Sequence, residues 1–177
     1  SRVFPSTPPV HSPRRRTPER VEEPSPANTA LNAPNLSHRG CSGAQAEDIV
    51  RRPLGDFPIA SSIIVPAGTE LVFLSGTLAD VAKPDAPAGS IERLGNTETQ
   101  AASVLGKLAQ ELAASGLTMA DVVKMNVFLV GDPTQGGSMD FAGLMKAWGR
   151  YFGTPSQGKL PTRTTVQVVA LPIPGAL

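Results

Sequence analysis

Histidine and cysteine are nearly absent from this chain of 177 residues, and the few present lie near its start. The single cysteine is Cys41 and the two histidines are His11 and His38, so residues 42–177 contain neither type. If the folded part lies in that range, it cannot build a zinc site of the usual Cys/His kind or a disulfide. A Ser-His triad and a cysteine nucleophile are excluded as well.

Aromatic residues, long apolar runs and excess charge of one sign are also scarce. Aromatics make up 5% of the chain, so the core must be mainly aliphatic. No apolar run approaches the roughly 18 residues that a membrane-spanning helix needs. The formal net charge of +1 provides no strong field for a nucleic acid or an anionic surface. We therefore expect no membrane partner and regard nucleic acid as an unlikely one.

The composition divides the chain into two parts. Residues 1–39 hold eight of the 18 prolines and an arginine run at positions 14–16. Such a segment has too little apolar surface to offset the loss of chain entropy on folding. We predict that residues 1–50 form a disordered Pro/Arg-rich tail or a non-native extension, and that residues 51–177 form the folded domain.

Alternating and turn-forming residues predict a β-hairpin at the start of this domain. Residues 59–65 and 70–75 are rich in β-formers, and residues 66–69, Pro-Ala-Gly-Thr, have the chemistry of a turn. Residues 80–95 contain prolines and glycines and are expected to form a surface loop.

Two amphipathic helices and two further strands follow. The first helix is predicted to begin at Thr97, which fits a capping box with Gln100, and to end at Gly116. Residues 122–130 and 162–171 alternate as strands do. The second helix is expected between those strands, and its apolar residues recur at helical spacing: Phe141, Leu144, Met145, Trp148 and Phe152.

The resulting element order is β-β-α-β-α-β, which predicts an α+β fold. Because each β-α-β connection favours a right-handed crossover, both helices are expected to pack on one face of a single mixed sheet. No further element remains to cover the other face. We therefore expect a second subunit to bury it.

Arg163 is the residue most suited to chemistry in a domain without histidine or cysteine. Strand alternation places Arg163, Thr165 and Gln167 on one face. A guanidinium is a permanently charged fork that can hold a carboxylate with two hydrogen bonds. The same residue at a strand start could instead form a surface or interface ion pair. Gly76, after Ser75, could let a ligand approach the backbone or simply end a strand.

Four segments together resemble the RidA/YjgF family, also called reactive intermediate deaminases or L-PSP ribonucleases. The resemblance spans roughly residues 57–177 and implies a chorismate-mutase-like fold and a homotrimer with sites between subunits. In this chain the C-terminal end of that fold, its final strand, is expected to be missing. The segments are Phe73-Leu74-Ser75-Gly76, Thr97-x-x-Gln100, the strand that begins Asp121-Val122-Val123-Lys124, and Pro161-Thr162-Arg163.

The resemblance implies an enzyme that hydrolyses enamines and imines to 2-keto acids and ammonia, without a metal or cofactor. Arg163 would bind the carboxylate of a small imine substrate, Ser75 and Gly76 would line the pocket, and the backbone carbonyl of Thr165 would hold the attacking water. A cytoplasmic location is expected, and an exported form is conceivable.

Several positions depart from the family pattern. Ile59 stands where the family commonly has Tyr, Met145 where it often has Asn, and Thr165 where many members have Cys. By their positions in the family pattern, Ile59 and Met145 would also contact the substrate. The family's water-orienting Glu belongs to the final strand, which is expected after Leu177. The alternative hypothesis is a non-catalytic trimeric scaffold that binds small carboxylate metabolites. An RNA-binding role ranks third, because the domain has no basic groove.

These arguments predict self-association in solution. We expect light scattering to give more than the mass of one chain, because the uncovered sheet face needs a partner, and the family resemblance implies a mass close to that of three chains. The mass of a single chain would contradict this prediction.

Overall fold

The computed structural model describes residues 48–177. Only positions 48–50 of the predicted tail fall in this range, and Cys41 and both histidines lie outside it. The division between residues 50 and 51 therefore stays a prediction. Two short 3-10 helices lie at Met119–Asp121 and Pro133–Gln135. The strands and helices are β1 (Val50–Leu54), β2 (Phe57–Ile64), α1 (Ile91–Leu94), α2 (Thr97–Ala114), β3 (Lys124–Val130), α3 (Phe141–Trp148) and β4 (Thr162–Val168).

The first two strands form an antiparallel hairpin through the two-residue turn Gly55-Asp56. Leu54 faces Phe57 across this turn, and Gly55 has a positive φ of 52°. Glycine adopts that backbone conformation without the steric cost that a Cβ would impose. The register shifts on either side of Pro53, as expected for a proline in an edge strand.

The predicted partner of β2 is wrong. Residues 70–75 have no regular secondary structure, and Phe73 in their middle is 88% exposed. The turn at residues 66–69 does form, with the Thr69 amide donating to the Pro66 carbonyl at 3.3 Å. β1, which lies only two residues before β2, pairs with it instead, because closing a two-residue turn costs less chain entropy than closing a longer loop.

The pairing of β3 with β4 is parallel, and it confirms the predicted strands on either side of α3. In β3, Met125, Val127 and Leu129 point inward, whereas Lys124 and Asn126 are exposed. β4 ends at Val168, three residues before the predicted end, and Val169 is almost fully exposed.

Both longer helices form where their periodicity predicts, with two corrections. α3 ends at Trp148, so Phe152, the last residue of the predicted apolar stripe, lies beyond it. The second correction is at the start of α2. The N-cap is Asn96, whose side-chain oxygen accepts from the Thr99 amide at 3.0 Å, and not Thr97. Thr97 is the first helical residue, and its buried hydroxyl has no hydrogen-bond partner in the described part of the chain. The helix ends before Gly116, as predicted, and this glycine has a positive φ of 72°. No helix within residues 48–177 is long and apolar enough to cross a membrane.

The core lies between α2, α3 and the inner sides of the strands. Trp148 and Phe152 are fully buried, and their rings are in contact at a tilt of 31° with centroids 4.3 Å apart. Partly buried Ile59 of β2 and Met125 of β3 pack against this cluster. Its buried members are Leu105, Leu112, Met119, Ala147, Trp148 and Phe152.

The α+β class and the predicted element order are confirmed, with the short helix α1 added in the predicted loop. The strands form two two-stranded sheets rather than one mixed sheet. A backbone hydrogen bond of 2.9 Å from the Ala60 amide to the Pro161 carbonyl joins β2 to the start of β4. The position of the β1–β2 hairpin relative to the β3–β4 pair therefore depends on tertiary contacts as well as on strand pairing.

Gln100 attaches the C-terminal segment to the first turn of α2. Its side chain is buried, donates to the carbonyls of Gly95 and Gly175 at 2.8 and 3.1 Å, and accepts from the Leu177 amide at 2.9 Å. Gly175 lies so close to the Ser90 carbonyl that a Cβ at this position would clash with it. Gln100 therefore satisfies one backbone group just before α2 and two in the C-terminal segment, more than 70 residues away, rather than capping its own helix.

We predict that Gln100→Ala lowers the free energy of unfolding by about 2–4 kcal/mol, because it leaves buried backbone groups without partners. The matched control is Gln110→Ala on the exposed side of the same helix. This control is expected to stay within about 0.5 kcal/mol of the parent, since exposed substitutions rarely do more. Denaturant titration measures both values, and equal losses in the two variants would refute the role given to Gln100.

Candidate functional site

Arg163 is the second residue of β4 and points toward α3. It is in register with Met125 of β3, which packs against the core cluster. Paired residues on neighbouring strands lie on the same face of the sheet. The guanidinium is therefore half-buried beneath the helix rather than free on the outer face of the sheet.

Three aromatic rings surround this guanidinium. Its central carbon lies 4.4 Å from the Trp148 ring centroid, 5.4 Å from that of Phe141 and 5.6 Å from that of Phe57. A cation within about 6 Å of an aromatic face is attracted by the ring quadrupole. Met145 completes the surroundings, with its sulfur 3.3 Å from Nη1 of Arg163. The charge is thus held by rings and a thioether.

No carboxylate pairs with Arg163 among residues 48–177. The salt bridges in that range are Lys83–Glu92, Lys107–Asp80, Lys146–Glu98 and Arg150–Glu98. Burial lowers the pKa of Arg163, because removing a cation from water disfavours its charged form. A guanidinium remains charged even so, and its N–H groups favour a carboxylate that can accept two of them.

Arg51 is a second half-buried arginine, and its contacts give it a structural role that Arg163 lacks. Its Nη1 donates to the carbonyls of Val122 and Leu160 at 2.8 and 2.9 Å, and its Nη2 donates to that of Ala120 at 3.0 Å. Burial lowers the pKa of Arg51, and the charge of Asp121 opposes that shift. Arg51 thus ties β1 to the segments that lead into β3 and β4, whereas Arg163 donates to no backbone carbonyl within residues 48–177.

The predicted common face of β4 is confirmed for Arg163 by its aromatic contacts and for Gln167 by its hydrogen bonds. Gln167 donates to the Gly137 carbonyl at 3.0 Å and accepts from the Met139 amide at 2.8 Å, which anchors the loop before α3. Between these two residues, the hydroxyl of Thr165 is buried and has no partner in the described part of the chain. A buried hydroxyl without a partner costs free energy.

The other predicted site residues divide into two groups. Met145 contacts Arg163 directly, and Ile59 packs on the core cluster that contains Trp148. Ser75 and Gly76 are exposed, and among residues 48–177 no hydrogen bond joins them to Arg163. The described part of one chain therefore gathers the residues from β2, α3 and β4 but not those of the segment at 75–76.

Three aspartates in the described part of the chain are engaged in local hydrogen bonds. Asp132 accepts from the Thr134 amide and Asp140 from the Gly143 amide, each at 2.8 Å. Hydrogen bonds from Thr118 hold the pKa of Asp121 below its usual value. Within residues 48–177, no group of three or more His, Cys, Asp or Glu side chains is arranged to hold a metal ion.

The rings of Phe57, Phe141 and Trp148 form an aromatic wall around Arg163, and this wall was not predicted from the sequence. Trp148 was expected to be a packing residue, which it is, but it also lies over the guanidinium. The available signal was the spacing of Phe141, Met145 and Trp148 on one face of α3, opposite the inward face of β4. Phe57 had no comparable signal, because its approach depends on the β1–β2 turn.

Comparison with known proteins identifies the family. The family described as endoribonuclease L-PSP matches residues 61–177. Protein DfrA of Myxococcus xanthus is 39% identical over 115 residues, which cover 65% of this chain and 76% of that protein. The chain belongs to the RidA/YjgF family.

Solved structures related to this family resemble the chain more distantly. A YjgF family protein from Neisseria meningitidis is 20% identical, with a TM-score of 0.43, covering 75% of this chain and 89% of that one. RidA from an Antarctic Psychrobacter is 33% identical with a TM-score of 0.34. That match covers 42% of this chain and only about half, 53%, of the RidA chain.

We predict that Thr165→Val raises the free energy of unfolding by about 1 kcal/mol, because it replaces a buried hydroxyl that lacks a partner with a methyl group. Thr164→Val is the matched control, since Thr164 is exposed on the opposite face of β4. The control is expected to change stability by less than about 0.5 kcal/mol. A Thr165→Val protein that is clearly less stable than the parent in chemical denaturation would show that this hydroxyl does have a partner.

Proposed function

We propose that this protein hydrolyses 2-imino acids and their enamine tautomers to 2-keto acids and ammonia. One water is consumed: its oxygen becomes the keto oxygen, and the C=N bond is replaced when ammonia leaves. The observation that supports the proposal is the half-buried Arg163 guanidinium, which has no carboxylate partner within residues 48–177. Membership of the family supports the reaction type.

Arg163 is proposed to bind the substrate carboxylate with two N–H groups. The surrounding rings limit the access of water, so the ion pair is stronger there than it would be on an open surface. Once the imine nitrogen is protonated, its carbon is already electrophilic, so positioning the substrate and a water supplies much of the catalysis. We assign the holding of that water to the backbone carbonyl of Thr165.

The proposed assembly is a homotrimer with sites between subunits. Phe128 and Val166 are opposite each other in the β3–β4 pair, and both are exposed. Exposed Phe73 belongs to the same segment as Ser75 and Gly76. We propose that this segment of one subunit completes the Arg163 site of its neighbour, which would bring Ser75 and Gly76 to the pocket.

The alternative is a trimeric scaffold that binds small carboxylate metabolites without hydrolysing them. One observation favours it: in the described part of the chain, the carboxylates of Asp121, Asp132 and Asp140 accept hydrogen bonds from their own local segments instead of activating a water. Carboxylate binding at Arg163 is common to both functions, so only hydrolysis distinguishes them.

We predict that Arg163→Ala lowers kcat/KM for 2-iminopropionate by about 100-fold or more, because it removes charged hydrogen bonds to the carboxylate. Arg163→Lys is expected to recover only part of the rate, since an ammonium cannot form the two-pronged contact. The imine is generated in the assay by an amino acid oxidase, and keto-acid release is followed. Arg150→Ala, which removes an exposed arginine paired with Glu98, is the control and is expected to keep the parent rate.

An active Arg163→Ala protein would refute the role of Arg163. A parent protein that binds propionate through Arg163 but hydrolyses no imine would support the scaffold. In each case the trimer is checked by light scattering, so that loss of assembly is not mistaken for loss of chemistry.

A further inference from the structure

The wall beside Arg163 extends from the core to the surface. Trp148 is fully buried, Phe141 is partly buried and Phe57 is 39% exposed. The Phe57 and Phe141 rings are nearly parallel, with an interplanar angle of 5° and centroids 6.3 Å apart. Their centroids also lie at nearly equal distances from the guanidinium, 5.6 and 5.4 Å. A ligand held by Arg163 would therefore have an aromatic surface directly beside its carboxylate.

We propose that this site selects 2-imino acids with an aromatic or large apolar side chain over small or charged ones. The inference rests on the proposed function. A carboxylate on Arg163 would leave the rest of the substrate within reach of Phe57 and Phe141. An aromatic side chain there gains both apolar burial and stacking, since rings prefer contacts with centroids roughly 4.5–7 Å apart.

Met145 adds to this selectivity. Its sulfur already touches the guanidinium, and an unbranched thioether adapts its shape to different apolar neighbours. The wall and Met145 together form an apolar surface that can accommodate side chains of different shape, provided they are not charged.

Small and charged side chains are disfavoured for separate reasons. A methyl side chain leaves the exposed part of Phe57 in contact with water, so it gains little from the wall. A carboxylate side chain would be placed against rings and a thioether that offer it no hydrogen-bond donor. A single methylene in an apolar pocket changes kcat/KM by roughly 10–200-fold, so the preference should be readily measurable.

The experiment compares imines generated from L-phenylalanine, L-leucine, L-alanine and L-glutamate. We expect kcat/KM for the phenylalanine-derived imine to exceed that for the alanine-derived imine at least tenfold, and the glutamate-derived imine to be the poorest. Phe57→Ala is expected to lower the phenylalanine value about tenfold more than it lowers the alanine value, because Phe57 borders Arg163 for every substrate but contacts only a large side chain. Leu54→Ala is the control, because Leu54 is exposed and faces Phe57 across the same turn.

A second measurement does not depend on turnover. The chain has one tryptophan, Trp148, and it lies 4.4 Å from the Arg163 guanidinium, so its fluorescence should report a carboxylate bound there. We expect 3-phenylpropionate to bind at least tenfold more tightly than propionate, and Phe57→Leu to retain part of that difference. This milder variant tests the wall if Phe57→Ala does not fold.

The outcomes separate this inference from the function on which it rests. Faster hydrolysis of the alanine-derived or glutamate-derived imine would overturn the apolar preference while leaving the deaminase intact. Equal affinity for 3-phenylpropionate and propionate would overturn it also. Hydrolysis of no imine at all, with 3-phenylpropionate still bound more tightly, would refute the deaminase and support the preference of the site.

Discussion

The fold and the site both depend on the burial of Trp148. Its indole N–H donates to the Pro58 carbonyl of β2 at 2.9 Å, its ring packs against that of Phe152, and its face lies over Arg163 of β4. Truncating a buried ring of this size typically costs about 3–5 kcal/mol in a protein core. One side chain of α3 thus connects both strand pairs and positions the charge that the proposed chemistry needs.

The contrast between Arg51 and Arg163 gives the functional assignment its physical basis. Burial lowers the pKa of both, so both bear a cost of desolvation. Arg51 offsets this cost with three backbone carbonyls, which join β1 to the starts of β3 and β4. Arg163 is in contact with aromatic rings and the Met145 sulfur instead, so its N–H groups can donate to an acceptor that the described residues do not supply. A charge held in this way is typical of a binding site rather than of a structural bridge.

Periodicity predicted the elements better than it predicted their partners. The apolar stripe of α3 and the alternation in β3 and β4 appear in the structure as expected, because each depends on the burial of one face of a single element. The hairpin was wrong because residues 70–75 have strand composition but must compete with β1 for the edge of β2. The cap of α2 is Asn96 rather than the predicted Thr97 for a similar reason. Both residue types can cap a helix, and the geometry of the preceding turn decides between them.

The sequence by itself determined the α+β order, the inward faces of α3, β3 and β4, and a permanent charge at Arg163 in a domain without histidine or cysteine. Those properties are local, since they follow from residue type and from spacings of two or about 3.6 residues. Only the tertiary structure decided that β1 pairs with β2, that Gln100 binds the C-terminal segment and that Phe57 joins Phe141 and Trp148 around the guanidinium. Such contacts join residues up to about a hundred positions apart. Their formation depends on which distant segments pack on the same buried surface.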